Sequence, residues 1–136
     1  PMGAVLMSAE IAAEMKPGDH GTTFGGGPFV ASVALHVVKR LADPSLLEQV
    51  RDNGAWLGEQ LNAIVRRTGR VRAVRGVGLM WGLDVVEPAA GVVTRAMDAG
   101  LLILSAGEYT LRLLPPLVIT RDELTEGLAC LEEVLR

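Results

Sequence analysis

Apolar residues recur along this chain first in short runs, then at helical spacing, then with a period of two. Gly3 to Met7 is a short apolar run that predicts a buried strand. Ser8 follows as a helix N-cap, with Glu10 in the first turn of a helix that reaches about Met15 and stops at Pro17-Gly18. Asp19 to Pro28 is a glycine-rich loop. Phe29 to Ala42 has no Gly or Pro and is apolar nearly all round, which predicts a buried helix. Asp43-Pro44 restarts a helix, with Asp43 at the N-cap and Pro44 in the first turn. From there Leu47, Val50, Gly54, Leu57, Leu61 and Ile64 recur at steps of three and four, one apolar stripe on a helix of about 22 residues that Gly69 ends.

The period then changes. Val77, Leu79, Trp81, Leu83 and Val85 alternate with Gly78, Met80, Gly82 and Asp84, predicting one strand with a bulky face and a thin face that another backbone can approach. Glu87-Pro88 opens a further helix through Val92, Val93, Ala96 and Met97, and Gly100 takes the place of a C′ glycine. Leu101 to Leu104 and Tyr109 to Leu114 predict two short strands, the second broken by Pro115-Pro116. Thr120-Arg121-Asp122-Glu123 is a capping box ahead of a last helix carrying Leu124, Leu128, Leu131 and Leu135. The C-terminal part thus predicts a layered α/β or α+β domain, while the N-terminal third closes no obvious core.

Composition narrows the function classes. The 136 residues are 49% hydrophobic and 21% charged, which excludes a disordered chain. The net charge of −3 and the lack of a long basic run argue against nucleic acid or an anionic membrane surface as partner. One cysteine, Cys130, excludes a disulfide framework and a cysteine-based zinc site, and we expect no metal. No apolar run approaches the ~20 residues of a membrane span and no secretory start is present, so a cytoplasmic location is expected. The chain begins Pro1-Met2-Gly3 rather than at an initiator methionine, and its mean hydropathy is +0.33. Together they predict a piece of a larger protein or an oligomer with a buried face, and a processed start explains the first equally well.

Two features carry candidate chemistry. In the glycine loop, Thr22 and Thr23 offer hydroxyls and backbone N–H groups just before a helix N-terminus. Such a loop can hold an anion, phosphate included, or can simply let backbones pack closely. It is not a Walker loop, because no Gly-Lys-Ser/Thr follows. Arg112 alternates with Leu111 and Leu113 and needs an anionic partner, either a substrate carboxylate held bidentately or a structural Asp or Glu. The remaining polar residues read plainly: His36 as a packed residue, Asp84 as solvent-facing, Cys130 as a small core residue. Arg66, Arg67, Arg70, Arg72 and Arg75 read as a cationic cluster at a helix C-terminus.

The glycine loop, Gly18-Asp19-His20-Gly21-Thr22-Thr23-Phe24-Gly25-Gly26-Gly27-Pro28, resembles the G-x-H-G-S/T-T-F/Y-G-G-N-P segment of the class III pyridoxal-phosphate aminotransferases. Within that family it resembles the acetylornithine and acetyl-lysine aminotransferase subgroup. The resemblance continues in order through Val74-Arg75-Gly76-Val77-Gly78-Leu79-Met80-Trp81-Gly82-Leu83 and Leu111-Arg112-Leu113-Leu114-Pro115-Pro116-Leu117-Val118-Ile119. Pro1-Met2-Gly3-Ala4-Val5-Leu6 resembles the stretch just after the family's Schiff-base lysine.

The resemblance implies the C-terminal part of an aspartate aminotransferase-like fold. Residues 1–43 would end the large cofactor-binding domain and 44–136 would form the small C-terminal domain. It implies pyridoxal 5′-phosphate as cofactor, a homodimer, and transfer of the terminal amine of an acetylornithine-, acetyl-lysine- or ornithine-type substrate to 2-oxoglutarate. Transfer from 4-aminobutyrate or another ω-amino acid is the neighbouring alternative. A stand-alone, non-catalytic dimerisation or binding module is another. Thr23 matches the threonine that binds the cofactor phosphate across the dimer interface, Thr22 a neighbour touching substrate, and Arg112 an active-site arginine of the small domain. The cofactor's lysine would lie upstream, so no catalytic residue is assigned here. Lys16 and Lys39, the two lysines present, stand in other contexts. Gly27 replaces the usual Asn.

Overall fold

The computed structural model describes residues 2–136; Pro1, the first residue of the Pro1-Met2-Gly3 motif, lies outside them. The chain divides into two compact units, residues 1–43 and 44–136.

The first unit is helical. Helix α1 (Ala9–Ala13) starts at Ser8, whose hydroxyl accepts from the Ile11 N–H at 3.3 Å. Gly18, at φ +102°, follows the Pro17 break. Helix α2 (Pro28–Leu41) has Gly27 as its N-cap. Two expectations are corrected here. Residues 3–7 form no strand and are exposed, because no neighbouring strand among the described residues offers a ladder. Helix α2 is helical as expected, but none of its residues is buried: Phe29 is 81% exposed and Val38 57%. His36 is likewise exposed rather than packed. An all-apolar helix needs cover on every side, and these 43 residues are too few to supply it.

The second unit is α+β. Its elements run α3 (Pro44–Thr68), β1 (Val71–Val77), β2 (Met80–Val85), α4 (Ala89–Asp98), β3 (Leu104–Ser105), β4 (Thr110–Leu113) and α5 (Arg121–Val134). The strands form one antiparallel sheet in the order β1-β2-β4-β3. The three helices cover one face. The stripe of α3 buries Leu57, Leu61 and Ile64 against Leu83, Val85 and Leu111 of the sheet, Val92 and Ala96 of α4, and Leu124, Leu128 and Leu131 of α5. Burying each such Leu, Ile or Val contributes about 1.5–3 kcal/mol. The capping box forms at the start of α5: Thr120 Oγ1 accepts from the Glu123 N–H at 3.2 Å, and the Glu123 carboxylate accepts from the Thr120 N–H at 2.8 Å.

The strand predicted over Val77–Val85 is instead the second half of a hairpin. Gly78 and Leu79 form a two-residue turn, Val77 pairs with Met80, and Gly78 takes φ +56°. Glycine at the first central position is what a type II′ hairpin turn demands. The turn breaks the apparent period. Val77 and Met80 lie on the open face, while Leu79 tucks into the core and Trp81, Leu83 and Val85 face the helices. A register shift between Val71 and Ala73 lets both Val71 and Val74 reach the core side.

Among the described residues, no backbone packs on the thin strand face that the sequence predicts: a Cβ on Gly82 would make only ordinary contacts, and the close approach lies instead at the turn and on the helix side. A Cβ placed on Gly54 of α3 would lie 2.4 Å from the Gly78 carbonyl oxygen, and one on Gly58 would lie 2.4 Å from the Trp81 ring. Helix α3 therefore rides directly on the turn and on the indole. Trp81 Nε1 donates to the same Gly78 oxygen at 2.8 Å.

Candidate active site

The first candidate place is the loop ahead of α2. Thr22 and Thr23 are exposed, and neither hydroxyl is hydrogen-bonded among the described residues. The Thr22 methyl group lies over Gly25, where an added Cβ would come within 2.0 Å of Thr22 Cγ2. Gly26 sits at φ +72°, a conformation that strains any side chain. Gly27 caps α2 without a side chain, and Pro28 supplies no N–H. The Phe29 and Val30 N–H groups thus open the helix with no capping acceptor, and the helix dipole favours an anion there. Unpaired hydroxyls, open N–H groups and a close-approach glycine turn form a donor set that fits a phosphate.

The second candidate place is the open face of the sheet in the second unit. In register across three strands stand Arg75 of β1, Gly82 of β2 and Arg112 of β4. The next row holds Asp84 of β2 opposite Thr110 of β4. Arg75, Gly82, Thr110 and Arg112, with Met80 and Trp81, line a shallow cavity of about 420 Å³. Arg75 is ion-paired with Asp84. Thr110 Oγ1 donates to the other Asp84 carboxylate oxygen at 2.6 Å. The Asp84 carboxyl is held below the usual carboxylate range, first by the Arg75 hydrogen bond and then by Thr110. Arg112 is exposed and makes no hydrogen bond or ion pair among the described residues.

Among the described residues, the carboxylate on this face is paired with Arg75, and Arg112 has no such partner. Asp84 is not simply solvent-facing. The arginine cluster is corrected too: Arg66 and Arg67 end α3, but Arg72 and Arg75 are strand residues and Arg67 pairs with Glu132 at 2.6 Å. Cys130 is half-buried rather than in the core, with Sγ 3.5 Å from the Ala99 carbonyl oxygen. Thr110 was not singled out from sequence; its place in alternation with Leu111 and Arg112 is the signal that marks it as an open-face residue. Thr22 and Thr23 lie in the first unit and Arg112 in the second.

The backbone matches the acetylornithine aminotransferase of Elizabethkingia anophelis with a TM-score of 0.80 at 28% identity, covering 92% of this chain and 34% of that one. It matches the ornithine aminotransferase of Toxoplasma gondii, described with pyridoxal phosphate at its active site, with a TM-score of 0.78 at 28% identity, covering 93% and 31%. By sequence the chain is 44% identical over 136 residues to the acetylornithine aminotransferase of Gloeobacter violaceus, covering 98% of this chain and 34% of the relative. The class-III aminotransferase family matches residues 1–135, and the chain belongs to that family. Class III aminotransferases use pyridoxal phosphate. The chain spans about a third of the length of the curated relatives it matches. Among the described residues, no helix is long and apolar enough to cross a membrane.

Proposed function

We propose that this chain serves within a longer, dimeric aminotransferase subunit that moves the terminal amino group of an acetylornithine-, acetyl-lysine- or ornithine-type substrate to 2-oxoglutarate. Residues 1–43 then close the large cofactor-binding domain and 44–136 form the small domain. The observation that carries this reading is the family match along the chain, together with an unpaired Arg112 and a loop of unpaired hydroxyls.

Bound pyridoxal phosphate supplies an electron sink for the carbon that bears the transferred amine. This chain's own residues bind and orient. Thr23 Oγ1 would donate to the cofactor phosphate of the partner subunit, and the open N–H groups of Phe29 and Val30 would add the positive end of α2. Gly27 contributes by absence: an Asn at this N-cap would offer its side-chain oxygen to those same N–H groups. Thr22 stands beside Thr23 toward the substrate. Arg112 receives a substrate carboxylate in a two-pronged, charge-assisted contact, which fixes the distance from that carboxylate to the reacting amine. The reacting lysine belongs to the part of the subunit that precedes these residues.

The test is transamination by the full-length subunit with acetylornithine, acetyl-lysine, ornithine and 4-aminobutyrate, each with 2-oxoglutarate. Glutamate should form fastest from one of the first three, and the isolated 136-residue chain should show no turnover. Arg112→Ala should raise the KM for the carboxylate-bearing substrate about tenfold or more, as loss of a charge-assisted pair implies. A preference for 4-aminobutyrate, or turnover by the isolated chain, would overturn the reading.

A further inference from the structure

The second unit has a groove that none of its own residues fills. It runs between α5 and the segments that enter β3 and leave β4, and it holds about 290 Å³. Leu101, Ile103, Leu113, Leu124 and Leu128 line it. Its rim is apolar as well: Leu102 is 84% exposed and Leu114 56%. An aliphatic groove of this kind suits water poorly and gives a polar ligand nothing to bond. A bare apolar patch of this extent marks a face that another protein segment covers. One charged side chain lines the groove, Glu123. Its Oε2 accepts from the Thr120 N–H and from the Thr120 hydroxyl, each at 2.8 Å. Its Oε1 has no partner among the described residues. The Thr120 N–H, and then its hydroxyl, hold the carboxyl below the usual carboxylate range, so Glu123 is ionised at neutral pH. What covers the groove must therefore bring aliphatic side chains and a cation side by side. A second copy meeting it groove to groove would set Glu123 against Glu123, a like-charge contact that opposes closure. The chain spans about a third of the length of its curated relatives, so a longer subunit has about two thirds of its length from which to supply the cover.

We propose that a segment of the subunit outside these 136 residues docks in this groove, with aliphatic side chains in the cavity and an adjacent lysine or arginine on Glu123 Oε1. The inference rests on the reading of the chain as part of a longer subunit. Glu123 then serves twice: Oε2 closes the start of α5, and Oε1 fixes the docked segment.

The test places a thiol on the rim, Leu102→Cys, in the full-length subunit. Its alkylation by a maleimide is followed through the mass of the peptide that carries residue 102, which keeps it apart from Cys130. In the native subunit labelling should be at least about tenfold slower than in the urea-unfolded chain, because the docked segment must leave first. Glu123→Gln keeps the capping box, which glutamine closes as well as glutamate, and removes only the charge. It should speed labelling about two- to fivefold, the scale of an exposed ion pair. Raising salt to about 0.5 M should do the same with Glu123 in place and little in Glu123→Gln. Native labelling as fast as in the unfolded chain, with the variant folded by circular dichroism, would overturn the proposal. So would protection that neither Glu123→Gln nor salt changes. Protection lost on dilution to the monomer would also overturn it, since the cover would then be a second copy. If the protein isolated from its source cells has an intact mass near 14.4 kDa, the longer-subunit reading itself fails, which is a different result from any of these.

Discussion

Replacing Gly54 by alanine should destabilise the protein, although Gly→Ala inside a helix normally does the reverse. Helix α3 passes over the β1–β2 turn so closely that a Cβ on Gly54 would lie 2.4 Å from the Gly78 oxygen and 2.7 Å from its carbonyl carbon. Those atoms are backbone and cannot swing aside like a side-chain tip. Gly78 is itself confined to φ +56° by the turn, and its oxygen accepts the Trp81 indole N–H. Relief requires moving α3 off the sheet or twisting the Gly78 peptide. Overpacking of this kind costs about 1–3 kcal/mol, and a weakened indole hydrogen bond about 1 kcal/mol more. The helix-propensity gain offsets about 1 kcal/mol. The net expectation is a loss of about 2 kcal/mol, read as a lower denaturant midpoint at unchanged m-value in the full-length protein. Gly127 in α5 is the internal control. A Cβ there meets Leu101 Cδ1 at 3.6 Å, an ordinary contact, so Gly127→Ala should hold or raise stability by up to about 1 kcal/mol. If Gly54→Ala proves as stable as wild type, the close packing of α3 on the turn is wrong.

Other outcomes are expected. Thr120→Ala removes the hydroxyl arm of the capping box on α5 and should cost about 1 kcal/mol in the same denaturation assay. Glu132 is lowered from 4.5 to about 2, first by the Arg67 hydrogen bond and further by Arg136. A depressed carboxylate pKa contributes stability above the unfolded value that is lost as pH falls. The stability difference between wild type and Glu132→Gln should therefore be present above about pH 4.5 and shrink toward zero by about pH 2. Thr23→Ala in the full-length protein should weaken pyridoxal-phosphate binding by about tenfold or more, read by titrating the apo form, as loss of one hydrogen bond to a charged group implies.

Much of the second unit was legible in the residues themselves because local physics decides it. The capping box at Thr120-Glu123, the αL glycines at 69 and 100, and the three- and four-residue stripe of α3 each depend on neighbours within one or two turns. The Thr22-Thr23 glycine loop carries a motif that resembles the class III aminotransferases, the family whose model matches the chain.

Tertiary structure decided what alternation could not. Bulky residues at 77, 79, 81, 83 and 85 look like one strand, but Gly78-Leu79 turns the chain and sends Val77 to the opposite face from Trp81. Only packing shows that Gly54 and Gly58 are bare because a carbonyl and an indole press on them. Above all, the partner of an arginine is a matter of strand register. Arg75 and Asp84 are nine residues apart, and Thr110 and Asp84 are 26 apart, yet one antiparallel ladder brings all three together and leaves Arg112 unpaired beside them. Composition and spacing set which charges exist, while pairing across the sheet sets which of them stay free to meet a ligand.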